Sequence, residues 1–386
     1  MASDSSLEQR MAARMAALHD ARLVRRLAPP RGVDFTSNDY LALSGHPVLK
    51  HRMIEGIRRE GCGSTGSRML TGERDSFARL ERTFASFKGT ERALYFSSGY
   101  LANLAVMTAF AEPGDVIVSD QRNHASLVDG IRLSAASRAI FAHNNVDAVA
   151  RLLDAPRTGQ AFVVVESLFS MDGDVAPLAE YAAMCRSTGA ALVVDEAHAV
   201  GIYGPRGSGL IEAHQIEGDV FVSINTAGKA LGVSGAFVAG SSGAIEYLTQ
   251  RARPFMFSTA TPPSVADALE ASLSIVAAEP ERRRRLAHLA RYLRDRLRHA
   301  GVDVPPGDSH IIPVIIGDNE RALAVAQTMQ AEGFDVRAIR PPSVPAGTAR
   351  LRLTVNVGLD DPTLDRFSLT LAAAIKEITR CSAVYS

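Results

Sequence analysis

Only four lysines occur among the forty-two basic residues of this chain, and one stands in unusual company. Lys50 follows a His-Pro pair, Lys88 precedes Gly89 at an expected helix end, and Lys376 falls on the last expected helix. Lys229 lies in Thr226-Ala-Gly-Lys-Ala-Leu-Gly, between apolar runs at residues 220–224 and 236–239. An amine held among small apolar groups loses hydration, which lowers its pKa and frees the lone pair to attack a carbonyl. Thr226, three residues earlier, supplies a hydroxyl within reach of a phosphate oxygen. These types and this spacing suit a Schiff-base lysine carrying pyridoxal 5'-phosphate; the alternative is a surface lysine in a glycine-rich loop.

Other residues fit the same chemistry. The apolar run at 191–194 ends in Asp195-Glu196-Ala197-His198. A carboxylate at the carboxyl end of a parallel strand can pair with a protonated pyridine nitrogen, and His198 can reach the phenolic oxygen of such a ring. The same four letters occur in a helicase box, but a helicase needs a phosphate loop of the Gly-Lys-Ser/Thr kind, and Gly228-Lys229 is followed by Ala230. His124 follows the run at 116–119, a position from which it can stack on a flat ring; an ordinary loop histidine is the alternative. Ser170 follows the run at 162–166 and can bond a ring substituent. Arg350 and Arg352 alternate on one strand face, where one of them can fork a carboxylate and the plainer role is a structural ion pair.

The elements that must position these residues follow from periodicity. Residues 7–27 show helical spacing through Leu7, Met11, Met15, Leu18 and Leu23, with Pro29-Pro30 as the stop. Residues 35–43 read as a short strand or turn, and a helix follows His46-Pro47. The three glycines at 61, 63 and 66 match a dinucleotide pattern, but they follow a helical segment where that pattern requires a strand, which favours a loop or turn. A helix over 77–87, a strand over 92–96 and a helix over 101–110 come next. Ser97-Ser98-Gly99-Tyr100 between the last two presents free N–H groups to an anion. Apolar strands at 116–119, 139–141, 162–166, 191–195 and 220–224, mostly separated by helices, predict a mainly parallel sheet buried on both faces. Helices to about 278 and over 282–299 follow; Leu286, Leu289, Leu293 and Leu297 make the four-arginine run a solvated helix face. Strands at 311–316, 336–339 and 350–355 complete a smaller α/β domain. The expected organisation is an N-terminal helix and arm over 1–45, a large domain over 46–278 and a small one over 279–386.

Acidic and basic residues balance at 42 each, so no net field draws the chain to nucleic acid or anionic lipid. No apolar stretch approaches the roughly 20 residues of a membrane span, and the opening residues lack the pattern of a secretory signal. Cys62, Cys185 and Cys381 are few, odd in number and widely spaced, which suits a reducing cytoplasm and neither a disulfide frame nor a metal site.

Taken together, the motifs resemble the α-oxoamine synthases, fold-type I pyridoxal-phosphate enzymes that condense an amino acid with an acyl-CoA. The likeness runs from about residue 33 to 357. It rests on Ser-Asn-Asp-Tyr-Leu at 37–41, Phe-Ser-Ser-Gly-Tyr at 96–100, His-Ala-Ser-Leu at 124–127, Ser-Met-Asp-Gly at 170–173, Val-Asp-Glu-Ala-His at 194–198 and Thr-Ala-Gly-Lys-Ala at 226–230. The resemblance implies that Lys229 carries the cofactor and later moves a proton, and that Asp195 pairs with the pyridine nitrogen. It implies that His124 stacks on the ring, that His198 and Ser170 bind near its oxygen, and that Gly99, Tyr100 and Thr226 hold cofactor. It further implies a homodimer with shared sites, in which Ser258 and Thr259 reach the phosphate across subunits. Arg352 is expected at the amino-acid carboxylate, with Asn38, Arg340 and Ser343 lining the substrate pocket; Arg22, Arg25 and Arg26 compete for an N-terminal substrate contact, with Arg25 preferred. The segment 340–353 is similar to the biotin-pathway branch, which implies L-alanine and pimeloyl-CoA, or its carrier-protein thioester, as substrates, with CoA and carbon dioxide released. A sister activity on glycine, serine or another acyl chain, and a cofactor-binding regulator on the same fold, are the alternatives.

Overall fold

The computed structural model of the chain describes residues 6–384, with side chains through residue 380. The opening residues 1–5, on which the absence of a signal pattern partly rests, and the side chain of Cys381 lie outside that description. The chain divides into two compact units, one of Asn38–Leu286 and the other of the residues up to Ser37 together with those from Ala287 onward.

Helix α1 (Leu7–Asp20) begins with a reciprocal capping box between Ser6 and Gln9. It stops well short of Pro29-Pro30, because Arg22 takes a left-handed φ of 55° that a helix cannot continue through. Its apolar face, Leu7, Met11, Met15 and Leu18, is exposed. Strand β1 (Val33–Asp34) is only two residues long. Beyond it the 35–43 segment is a turn: the Asp34 carboxylate accepts the N–H groups of Thr36 and Ser37, and Asp39 accepts that of Leu43.

The larger unit opens with α2 (Pro47–Glu60), capped by His46, and α3 (Asp75–Lys88), closed by left-handed Gly89. The three-glycine loop lies between these helices, with no strand feeding it. Then follow β2 (Arg92–Phe96), α4 (Gly99–Phe110), β3 (Val116–Asp120), α5 (Ala125–Leu133), β4 (Ser137–Phe141), α6 (Val146–Asp154), β5 (Ala161–Glu166), α7 (Leu178–Thr188) and β6 (Ala191–Asp195). The unit continues through α8 (Leu210–His214), β7 (Val220–Thr226), β8 (Ala236–Gly240), α9 (Ser242–Arg251), α10 (Arg253–Met256) and α11 (Ser264–Ala278). The seven strands β2 to β8 form one sheet in the order β2-β8-β7-β6-β5-β3-β4. Adjacent pairs are parallel except where β8 runs against β2 and β7. All six β5 residues are buried, as a continuous apolar run requires when helices cover both faces. Val164, Val193 and Ile224 from neighbouring strands pack with Val106 of α4 in the core beneath the site.

The second unit continues from within α12 (Pro280–His299) through β9 (Ile311–Gly317), α13 (Asn319–Ala331), β10 (Phe334–Asp335), β11 (Ala338–Ile339), β12 (Ala349–Thr354) and α14 (Asp361–Val384). Of the strand expected at 336–339 only the second half is strand: β11 joins the antiparallel sheet β11-β12-β9, while β10, just before the expected range, pairs with β1. The leucine stripe of α12 is buried as its spacing requires, but its arginines are not all solvated. Arg283 is buried and donates to the carbonyls of Pro205 and Val276, and Arg294 is buried and donates to those of Ser309 and Ile311. Guanidinium groups here satisfy backbone carbonyls in loops and at the ends of elements.

Candidate active site

Residues bearing chemistry cluster where the parallel strands end. Thr226 and Lys229 close β7, Asp195 and His198 close β6, Ser170 follows β5, His124 follows β3, and Gly99 and Tyr100 follow β2. Carboxyl ends of strands collect a ligand in such sheets because the loops there converge on one crevice.

The turn bearing Lys229 is fixed by its own backbone. Ala227 N donates to Gly235 O at 2.8 Å, and Gly232 N to Lys229 O at 2.8 Å. Gly232 has φ +69°, and a Cβ on it would lie 2.6 Å from Ser44 N, so only glycine fits. Lys229 Nζ is 2.8 Å from His198 Nε2, and His198 Nδ1 is 2.6 Å from the hydroxyl of buried Tyr40. That hydroxyl donates to Asn38 Oδ1 at 2.9 Å, which fixes the proton positions along the chain. With its hydrogen committed to Asn38, the Tyr40 oxygen accepts from Nδ1–H, and Nε2 is left as the acceptor for the lysine amine.

A second chain runs beneath the site. Asn103 of α4 is buried, and its Nδ2 donates to Asp195 Oδ2 and to Ser126 Oγ, both at 2.8 Å. Ser126 Oγ is 2.7 Å from His124 Nδ1. The Ser126 backbone N–H donates to the same Nδ1 at 3.2 Å, so Nδ1 is an acceptor, the Ser126 hydroxyl donates to it, and the neutral ring carries hydrogen on Nε2. Asp195 Oδ1 accepts Ala197 N at 2.9 Å, so both carboxylate oxygens are held in place. Solvent reaches the His124 ring, yet the protein crowding it removes enough hydration to lower its pKa; the Lys229 charge adds to this and Asp195 opposes it. The imidazole is therefore neutral.

Glu166 escaped the sequence reading. It pairs with Asp195 in strand register, is buried, and its Oε1 has no hydrogen-bond partner among the described residues. Burial and the neighbouring Asp195 push its pKa up to about 8, against the Lys229 charge and the amides of His124 and Ser170. Beside the Asp195 carboxylate, whose two oxygens accept fixed donors, Glu166 is the group that keeps its proton near neutral pH.

The start of α4 is built for an anion. Ser98 caps it by accepting Leu101 N at 3.2 Å, and a Cβ on Gly99 would lie 2.5 Å from Thr226 Oγ1. The glycine thus lets the helix N-terminus and the Thr226 hydroxyl face one space. The Tyr100 hydroxyl turns away to Asp129, so the backbone of Tyr100 is what the site can use. Ser170 is buried in its loop. Ser258 and Thr259 follow α10 and share a small cleft with Ser97 and Arg68.

Arg25, Arg340, Ser343 and Arg352 belong to the second unit. Arg340 donates to the carbonyls of Arg22 and Val24, while Arg25 donates to those of Arg340 and Pro341 at 3.4 and 3.2 Å. The arm and the 340–341 segment are thereby stitched together. Desolvation and the nearby Arg25 charge lower the pKa of Arg340. Arg350 and Arg352 are both buried on β12; Arg350 folds back on Thr348, and Arg352 Nη1 donates to Thr354 Oγ1 at 3.0 Å.

The most deeply buried lysine of the larger unit is not the one beside His198. Lys88 is 2% exposed, far more enclosed than Lys229, but its ammonium is bonded to Glu196 and to Ser208 O at 2.8 Å. Glu196 also accepts the N–H groups of Leu210 and Ile211. That pair anchors the backbone between Asp195 and His198 and leaves Lys88 no lone pair to offer.

The donor set fits pyridoxal phosphate: a helix N-terminus and a hydroxyl for phosphate, a fixed carboxylate for a ring nitrogen, a neutral imidazole, and one amine on a histidine acceptor. The chain belongs to the aminotransferase class I and II family, which matches residues 30–369, and within it to the α-oxoamine synthases of fold-type I. More particularly, it is 46% identical over 351 residues to 8-amino-7-oxononanoate synthase of Burkholderia cenocepacia, covering 89% of this chain and 88% of that one. The corresponding Burkholderia thailandensis protein is also 46% identical over 351 residues, with 89% of each covered. Among solved structures, serine palmitoyltransferase from S. paucimobilis superimposes with a TM-score of 0.90 at 29% identity, covering 97% of this chain and 100% of that one. 8-Amino-7-oxononanoate synthase from Francisella tularensis superimposes at 0.79 with 28% identity, covering 90% and 98%.

Proposed function

We propose that this chain is a pyridoxal-phosphate-dependent acyltransferase of biotin biosynthesis. It condenses L-alanine with pimeloyl-CoA, or the carrier-protein thioester, to give 8-amino-7-oxononanoate, with CoA and carbon dioxide released. The observation that carries this reading is the Lys229 amine held 2.8 Å from His198 Nε2 at the strand ends where Asp195 also stands, in a chain 46% identical to synthases of that name. When bound, the cofactor supplies an electron sink for the carbanion formed at the amino-acid α-carbon.

The residues divide the remaining work. Lys229 would hold the cofactor through its amine and is the base placed to move the α-proton of the amino acid. His198 Nε2 accepts from that amine and orients it, with Tyr40 and Asn38 fixing the tautomer. Asp195 would pair with the ring nitrogen, and Asn103 and Ala197 hold its two oxygens in place. His124, neutral and locked through Ser126, offers a flat face to the ring. Ser170 bonds beside the ring oxygen; the start of α4, Thr226, and Ser258 and Thr259 of a second copy hold phosphate. Arg352 takes the substrate carboxylate, with Asn38, Arg340, Ser343 and Arg25 lining the acyl side. The working assembly is a cytoplasmic homodimer with shared sites, which light scattering of the holoenzyme and subunit mixing between Lys229 and Ser258 variants test.

Serine as the amino acid is a second reading, favoured by the 0.90 superposition on serine palmitoyltransferase. Identity of 46% against 29% favours alanine. The deciding experiment is CoA release from pimeloyl-CoA with alanine, serine or glycine offered in turn. Release with serine alone removes the alanine reading.

A further inference from the structure

The stretch 167–176 is a short hairpin that presents Ser170 near its tip. Leu168 and Val175 form an antiparallel bridge, Ala176 N donates to Ser167 O, Phe169 N to Asp174 O at 2.9 Å, and Gly173 N back to Phe169 O at 2.9 Å. A hairpin of this length has little core of its own, so its place above the sheet must be set from outside. Its buried Leu168 and Phe169 pack it down, and His143, just beyond β4, bridges it to the end of β3. Its Nδ1 is 3.0 Å from Asp120 Oδ1 at the end of β3, and its Nε2 is 2.5 Å from Asp174 Oδ2 on the hairpin. Its ring meets Phe169 edge-on at 4.4 Å. Asp120 also holds the turn leading to His124, by accepting Arg122 N at 2.8 Å, and the segment after β4, by accepting Asn144 N at 2.9 Å. Asn144 Nδ2 reaches Asp174 as well, and Arg122 pairs with Asp172 at 3.2 Å.

We infer that His143 is a positioning residue for the cofactor site: clamped between Asp120 and Asp174, it fixes the hairpin bearing Ser170 against the turn bearing His124. The inference rests on the proposed cofactor contacts of Ser170 and His124. Ionised carboxylates only accept, so a ring bonded to two of them must donate from both nitrogens and is an imidazolium. Burial opposes that charge, but Asp120 and Asp174 prevail and raise the pKa to about 9. The other titratable groups facing this cluster are Arg122, Asp172 and Tyr181 of α7, whose phenol is raised by burial and then by Asp120 and Glu180. A histidine whose folded pKa exceeds its unfolded value of 6.5 contributes stability fully present below pH 6.5 and lost as pH rises through about 9.

The test compares wild type, His143→Gln and Asp174→Asn by two readouts over neutral to alkaline pH: pyridoxal phosphate affinity by fluorescence, and melting of the cofactor-free protein. Wild type loses both affinity and melting temperature as pH rises through about 9. Asp174→Asn, lacking one carboxylate, moves that limb to lower pH. His143→Gln lacks it and binds cofactor about tenfold more weakly at neutral pH, the worth of roughly one charged hydrogen bond. Unchanged affinity in His143→Gln, or a limb that Asp174→Asn leaves in place, overturns the inference. A melting limb that shifts in Asp174→Asn while cofactor affinity does not would show a clamp that is structural only, and also overturns it. Should His143→Gln fail to fold, the Asp174→Asn shift decides. If wild type binds no cofactor at all, the proposed function fails, while the cofactor-free melting limb still reports on the clamp.

Discussion

Asn103→Leu tests the buried chain that joins Asp195 to His124. The side chain keeps its branched outline but loses two donated hydrogen bonds, one to a carboxylate and one to a hydroxyl, both at 2.8 Å. A bond to a charged group contributes about 1.5–3 kcal/mol and a neutral one about 0.5–1.5, so the loss is roughly 2–4.5 kcal/mol. Asn103 Oδ1 has no partner among the described residues, and replacing it by an apolar group returns about 1 kcal/mol. The net expectation is a destabilisation of roughly 1–3.5 kcal/mol, read as a lower urea midpoint at unchanged slope. Cofactor affinity should fall in parallel, because Asp195 and the Ser126 donor to His124 both lose their anchor. A change below about 0.5 kcal/mol with full affinity would refute the idea that this chain holds the ring-facing residues.

Three other outcomes follow from the same geometry. Lys88→Met leaves Glu196 buried without its counter-charge and should cost about 3–5 kcal/mol in equilibrium unfolding; a near-neutral result would mean that Glu196 is satisfied by the Leu210 and Ile211 amides alone. Glu166 has a folded pKa raised from 4.5 to about 8. Its contribution is therefore fully present below pH 4.5 and lost as pH rises through 8, and Glu166→Gln should flatten that decline in melts of the cofactor-free protein. Tyr40→Phe leaves the His198 Nδ1–H without its acceptor, which should lower turnover more than it weakens cofactor binding; equal turnover in the variant would remove Tyr40 from the proton chain.

Much of the site could be read in the sequence because its signals are local. Lys229 and Thr226 share one turn, Asp195 and His198 another, and each lies at the end of an apolar run whose continuity already predicts a strand buried on both faces. Asn103, Ser126 and Glu166 could not be singled out that way. Asn103 sits mid-helix and Glu166 at a strand end, and only the sheet order, with β6 between β5 and β7, brings them to Asp195. Lys88 illustrates the converse: the sequence places it at a helix end before Gly89, and its burial against Glu196 appears only in the folded chain. The arginines of α12 were read as a solvated face because periodicity locates the leucines but says nothing about carbonyls in need of donors. Helix α1 ends early because Arg22 is left-handed, a conformation with no sequence marker at a non-glycine residue.

The most direct test of the account is an absorbance titration of the purified protein with pyridoxal phosphate, then alanine, then pimeloyl-CoA, run beside Lys229→Ala. The account predicts a lysine-dependent cofactor band that is absent in the variant, a shift of that band on adding alanine, and stoichiometric CoA release only when alanine and the thioester are both present. A yellow, active Lys229→Ala protein, or a wild type with no band in excess cofactor, would contradict it.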